Sequence, residues 1–162
     1  MFGFHQKQGI KIVSPVNGSS IDICQVKDEV FAKKMIGDGI AIIPADGNIV
    51  CPINGTVTTV IDSCHALSLK SEEGIELIIH IGIDTVKLQG RYFMKDISEG
   101  DSVRSGDLLI HFDKAGLEAS GYDSTVILII LPDDKYTIQK KEFGQMMAGK
   151  TTILTVKRDK GL

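Results

Sequence analysis

Apolar residues along this chain fall in short runs, set apart by glycine, asparagine, aspartate and proline. β-Branched residues dominate the runs, and the strand signals recur about every ten residues, as in sandwiches and barrels. Strands are predicted at Ile10–Val13, Ser20–Asp22, Ile40–Pro44, Asn48–Val50, Gly55–Ile61, Ala66–Lys70, Glu76–His80, Ser102–Val103, Leu108–Phe112, Thr125–Leu131 and Thr152–Val156. Long helical periodicity is missing. Asp28–Lys34 and Leu117–Ser120 read as single turns, and Lys140–Ala148 as a short helix. The expected fold is all-β, an antiparallel sandwich or barrel with only short helical turns.

A faint repeat runs through the pattern. Ser14-Pro15-Val16-Asn17-Gly18-Ser19 is matched by Cys51-Pro52-Ile53-Asn54-Gly55-Thr56. In each copy proline ends a strand, Asn-Gly turns the chain, and a hydroxylated residue opens the next strand. Two such corners imply approximate internal duplication. Gly37-Asp38-Gly39, between the copies, reads as a tight turn. It lacks the lysine and the following helix of a phosphate-binding loop.

Two neighbouring runs carry the candidate chemistry. Ser63-Cys64-His65-Ala66-Leu67-Ser68-Leu69 and Ile75-Glu76-Leu77-Ile78-Ile79-His80-Ile81-Gly82-Ile83-Asp84-Thr85-Val86 are joined by Lys70-Ser71-Glu72-Glu73-Gly74. A four-residue Ser71–Gly74 loop sets His65 opposite His80, with both imidazoles on one sheet face beside Leu67 and Ile78. A three-residue bulged loop with Gly74 left-handed shifts the pairing by one and turns His80 to the other face. Two adjacent imidazoles resist joint protonation, because like charges repel at that range. Such a pair is therefore read as working, whereas His111, alone in its strand, is read as structural.

Length and charge narrow the function. The chain has 162 residues, enough for one domain with a proper core, and a net charge of −3. A basic face for nucleic acid is missing. Cys24, Cys51 and Cys64 are odd in number and have no C-x-x-C spacing, which fits a reducing compartment and three small buried residues. The longest apolar run, Val126–Leu131, is too short to span a bilayer, and Met1–His5 lacks a signal-peptide pattern. A cytoplasmic location is expected, with residues 1–162 forming one domain and residues 1–9 a flexible tail.

Three chemistries suit an imidazole in an apolar patch. Zinc wants four ligands, and only two are in view. Serine-type hydrolysis wants a nucleophile elbow, and no G-x-S-x-G occurs. Phosphoryl capture needs one imidazole with a free nitrogen lone pair and a second group to stabilise the phosphate, and this pair supplies both.

His65-Ala66-Leu67-Ser68, Glu76 to Val86 and Val30-Phe31-Ala32-Lys33-Lys34-Met35-Ile36-Gly37-Asp38-Gly39 closely resemble the glucose-type enzyme IIA family of the bacterial phosphoenolpyruvate-dependent sugar phosphotransferase system. The likeness runs from about Ile12 to Val156, and the His-x-Gly-x-Asp-Thr-Val string is its most specific part. It implies a flattened antiparallel β-sandwich and a phosphoryl carrier for sugar uptake. By the resemblance His80 carries the phosphoryl group on Nε2, His65 supports transfer, Ser63 hydrogen-bonds His65, and the Gly82 carbonyl holds Nδ1–H of His80. The donor is the phosphocarrier HPr and the acceptor a cysteine of a IIB domain of a membrane sugar permease. Both dock on an apolar ring matched by Val30, Phe31, Met35, Ile36, Ile61, Ile78, Ile81 and Val86, with Asp28 and Asp84 meeting a donor arginine. No cofactor is implied, and zinc at His65 and His80 would need a ligand from a partner. Contact with a membrane is peripheral at most.

Three positions depart from the family pattern: Glu29, Cys64 and the string Gly90-Arg91-Tyr92-Phe93. Two other readings compete. Glu99 to Leu109 followed by Phe112-Asp113-Lys114-Ala115 looks like a lipoyl-carrier hairpin with Lys114 as the modified lysine. A regulatory module would use the same patch for binding without turnover.

Overall fold

The computed structural model describes residues 9–159, so residues 1–8 of the expected tail lie outside the described residues. In chain order the strands are β1 Ile10–Val13, β2 Gly18–Asp22, β3 Asp38–Pro44, β4 Asn48–Val50, β5 Gly55–Val60, β6 Ala66–Ser71, β7 Glu76–Ile81, β8 Phe93–Lys95, β9 Ser102–Val103, β10 Leu108–Phe112, β11 Val126–Ile130, β12 Tyr136–Lys140, β13 Gln145–Met146 and β14 Thr152–Arg158. An eight-stranded sheet has the order β13-β2-β3-β11-β7-β6-β5-β9, and two three-stranded sheets have the orders β1-β14-β12 and β4-β10-β8. The pairings are antiparallel. The fold is the expected all-β sandwich with short helices. Both edges of the large sheet end in two-residue strands, which leaves little open edge for unwanted pairing.

Strand alternation sorts the large sheet into two faces. On β7 the side chains of Leu77, Ile79 and Ile81 enter the main core with Leu67, Leu69, Ile40, Ile42 and Leu128, while Ile78 and His80 face the other way. The main core also takes Ile12, Ile49, Leu109, Phe112 and Val156 from the smaller sheets. β11 is buried along its whole length, which accounts for its unbroken Val-Ile-Leu-Ile-Ile run. Its Val126, Leu128 and Ile130 belong to the main core. Ile127 and Ile129 belong to a second cluster with Ile23, Val26, Phe31, Ala41 and Ile83.

The internal duplication is visible as an interlock of the two repeat corners. The Val13 amide donates to the Pro52 carbonyl at 3.1 Å, and the Val50 amide donates to the Pro15 carbonyl at 2.7 Å. The Asn17 side-chain oxygen accepts from the Ala148 amide, and that of Asn54 accepts from the Ser105 amide. Ser14 Oγ donates to the carbonyl of Val16, and Cys51 Sγ to that of Ile53. Each half thus satisfies the other's turn, and Cys51 does the job of Ser14.

Four expectations change. Lys140–Ala148 is not helical. Lys140 ends β12, and Gln145 and Met146 pair with Ser19 and Gly18 at the sheet edge, where the ladder outweighs the propensity of a short isolated helix. β8, β12 and β13 were not among the predicted strands; β12 alternates half-buried and exposed residues without a strong apolar run. Cys24 is exposed on a 3₁₀ turn and Cys64 is half-buried, so only Cys51 is buried as expected.

The fourth change concerns register. β6 and β7 pair Ala66, not His65, with His80. The turn closes between Ser71 and Ile75, with Gly74 at φ +92°. This is the bulged three-residue loop, and the left-handed glycine selects it. Leu67 therefore faces the main core rather than the histidine face. Gly74→Ala has room for its methyl group but not the backbone angle. It should lower unfolding stability by about 1 kcal/mol in denaturant titration, with Gly74→Asn costing less.

Candidate functional site

His80 stands in a lateral row of the large sheet. Ile21, Ala41, Ile127, His80 and Ala66 face one another in turn across β2, β3, β11, β7 and β6. Directly paired residues share a face, so the imidazole is the polar member of an otherwise apolar row. The segment Ile23–Ile36 covers much of that row. Asp22 and Asp28 cap its 3₁₀ turn and its helix Glu29–Ala32, and Ile23, Val26 and Phe31 point inward. The Phe31 ring packs on His80, with centroids 4.8 Å apart and a tilt of 54°.

His65 reaches His80 by a different route from the expected cross-strand pairing. It lies outside β6, in the turn that links β5 to β6. Cys64 there is left-handed, at φ +59°, and its amide bonds the Ile61 carbonyl at 2.7 Å. Alternation therefore does not govern His65. Its carbonyl takes the Ile81 amide at 2.7 Å, and its ring meets His80 edge-on, with centroids 5.0 Å apart at 82°. Ser63 Oγ lies 2.6 Å from His65 Nδ1. The two histidines and Ser63 are thus brought together.

A tight turn ends β7 just beyond His80. Gly82 sits at φ +79°, with its amide on the Thr125 carbonyl at 2.8 Å, and Thr85 Oγ1 donates to the Ile81 carbonyl. A methyl group on Gly82 would lie 2.4 Å from the Thr85 side chain, so residue type and position are tied together. Asp84 follows in the left-handed region and is exposed.

The electrostatics favour a neutral His80. Burial lowers its pKa to about 4, and His65 pushes the same way. The Gly82 backbone, Asp28 and Asp84 pull back upward. Only an acceptor raises a histidine, so the Gly82 group involved is its carbonyl. It acts without a formed bond: Nδ1 of His80 is the buried side-chain nitrogen or oxygen without a hydrogen-bond partner among the described residues. The expected Gly82 contact is an acceptor close by, not a closed bond. Burial also lowers the pKa of His65.

The expected docking residues divide. Val30, Met35, Ile36, Ile61 and Val86 are large, apolar and exposed, and they lie on the three segments that carry Phe31, His65 and Gly82. Ile78 is half-buried on the His80 face. Phe31 is only 6% exposed, and Ile81, at 0%, lies on the core side of β7, so Ile81 presents no surface to a partner. Asp28 is half-buried at the helix N-cap, where its side chain takes the Val30 amide at 2.9 Å. Glu29 is exposed and pairs with Lys33 at 3.7 Å.

Lys114 does not sit at a hairpin tip. It opens the helix Lys114–Ala119 and pairs with Glu118 at 3.1 Å, which removes the geometry a lipoyl lysine needs. Among the described residues no group of three or more His, Cys, Asp or Glu side chains is placed to hold a metal ion. No helix there is long and apolar enough to cross a membrane. Ile127, Ala41 and Thr85 also shape the site. Thr85 lies within the His-x-Gly-x-Asp-Thr-Val string, whereas Ile127 and Ala41 have no local signal, because β11 enters the row from a distant part of the chain, between β3 and β7.

The histidines tie stability to pH. An ordinary histidine titrates near 6.5, and His80 does so near 4, so the unfolded chain binds the extra proton between these values. Stability held above pH 6.5 should therefore fall as pH drops towards 4, by on the order of 3 kcal/mol from His80. Urea midpoints measured across that window should decline, and His80→Gln should flatten the decline.

Residues 10–136 match the family model described as phosphoenolpyruvate-dependent sugar phosphotransferase system, EIIA 1. The glucose-specific EIIA component of Buchnera aphidicola subsp. Baizongia pistaciae is 42% identical over 149 residues, covering 92% of this chain and 89% of that protein. The glucose-specific EIICBA component of Streptococcus pneumoniae is 38% identical over 146 residues, covering 90% of this chain and only 20% of that longer protein. The solved glucose permease IIA of Mycoplasma capricolum superposes with a TM-score of 0.82 at 29% identity, covering 91% of this chain and 96% of that one. The chain thus belongs to the EIIA 1 family of the phosphoenolpyruvate-dependent sugar phosphotransferase system, whose members transfer phosphate through a phosphohistidine.

Proposed function

We propose that His80 is the phosphohistidine of this chain, taking the group on Nε2 from phospho-HPr and passing it to a cysteine of a IIB domain for sugar uptake and phosphorylation. One observation carries the residue assignment: a neutral, largely desolvated imidazole lies in an apolar hollow with a second imidazole edge-on at 5.0 Å. The neutral ring keeps its proton on Nδ1, beside the Gly82 carbonyl, and presents the Nε2 lone pair. The N–P bond to His80 forms as the donor's N–P bond breaks. Onward transfer breaks the His80 bond as the acceptor thiolate forms its S–P bond, and the ring returns to its neutral state.

His65 supplies the stabilising donor. Ser63 donates to Nδ1 of His65, which leaves the proton on its Nε2 for a phosphoryl oxygen. Val30, Met35, Ile36, Ile61 and Val86 form the docking surface, with Ile78 beside His80 and Asp28 and Asp84 attracting a donor cation. The EIIA segment of the Streptococcus protein is part of a longer EIICBA component, and a Bacillus subtilis EIIBCA component, 42% identical, is likewise longer, with this chain spanning 22% of it. These fusions support a IIB partner. On this reading residues 1–162 form one EIIA domain, work in the cytoplasm and need no resident cofactor. Zinc would bind His65 and His80 only with a ligand from a partner.

Substitution separates the two roles. His80→Gln should take no label from phospho-HPr. His65→Gln should still be labelled but pass phosphate to the IIB domain at least 100-fold more slowly, in line with losing a transition-state donor. Normal labelling of His80→Gln would remove the assignment.

A further inference from the structure

We propose that Phe31 is a positioning residue for His80: its ring, carried inward by the helix Glu29–Ala32, closes one flank of the imidazole, fixes its orientation and keeps water from it. Phe31 serves phosphoryl transfer only if His80 is the reacting side chain, as read above. The resemblance placed Phe31 with the docking residues, yet its neighbour Val30 is 41% exposed while Phe31 is 6% exposed. Little of the ring is left for a partner to touch.

The helix is held from within the chain. Asp28 takes the Val30 amide on its side chain and the Ala32 amide, at 2.8 Å, on its carbonyl. Ile23 and Val26 pack in the same cluster as Phe31. The ring therefore sits on His80 before any partner arrives. The remaining flanks of the imidazole are His65 edge-on and, in the sheet, Ile127 and Ala66. The charged or titratable groups facing His80 are His65 from the β5–β6 turn, Asp28 from the helix N-terminus and Asp84 beyond β7. β11 and β6 place Ile127 and Ala66 directly opposite it. Two carboxylates favour the protonated ring. A dry apolar wall opposes them and keeps the nucleophilic lone pair free.

Nitrogen NMR titration of His80 in the unphosphorylated full chain tests this directly. Phe31→Leu should raise the His80 midpoint by about one pH unit, whereas Phe31→Tyr, which keeps the ring, should leave it at the wild-type value. In acceptance assays with phospho-HPr, the acid limb of the rate profile should move up with the midpoint. Phe31→Met is the second truncation should Phe31→Leu fail to fold, with strand amide shifts reporting the fold. An unmoved midpoint in a folded Leu or Met variant overturns the positioning role. The titration needs no phosphoryl donor. A raised midpoint in a chain whose His80 never accepts phosphate would support the packing role and count against the functional reading alone.

Discussion

The site depends on one constraint: an imidazole must remain uncharged in an apolar sheet row while one nitrogen stays open to the surface. A charged ring would need solvation that Ile127, Ala66 and Phe31 deny it. The row exists only because β11 lies between β3 and β7, and because the turn at Gly82 ends β7 at Ile81, one residue after His80. His65 is added from outside the sheet. Its turn carries a left-handed Cys64, and backbone strain at a non-glycine residue is tolerated where the surroundings over-determine it. Asp84, left-handed beyond the end of β7, is a second case.

The scaffold beneath this row is stiffened by the interlocked corners. Reciprocal backbone bonds between Val13 and Pro52 and between Val50 and Pro15 join the two repeats corner to corner. β5 starts from one corner and leads straight into the turn that holds Ser63 and His65. β2 starts from the other and forms part of the His80 row through Ile21. The duplication therefore places the two faces of the site from equivalent points of the fold. A thiol in one copy and a hydroxyl in the other make the same bond to a carbonyl two residues on, and burial raises the Cys51 pKa to about 11, which keeps that thiol protonated.

Much of this was legible in the sequence, and the exceptions have physical causes. Alternation and Asn-Gly corners were enough to locate most strands, because each depends on a few adjacent residues. Adjacency of the histidines was also foreseen, but by the wrong geometry. Gly74 allows two loops, and the structure adopts the one that pairs Ala66 with His80. Face assignments built on the other loop fail for Leu67. Ile81 was placed with the docking residues by likeness, although its parity with Leu77 and Ile79 marks it as core. The inward turn of Phe31 and the part played by Ile127 had no local signal. They follow from the non-sequential strand order and from a four-residue helix folding over the sheet.

Phosphoryl-site mapping on the wild-type chain tests the central claim most directly. The protein would be incubated with phosphoenolpyruvate, enzyme I and HPr, then examined by phosphorus NMR and by peptide mapping under alkaline conditions. A single acid-labile phosphate on Nε2 of His80 is the expected result. Phosphate on His65 or His111, or none on any histidine, would contradict the account.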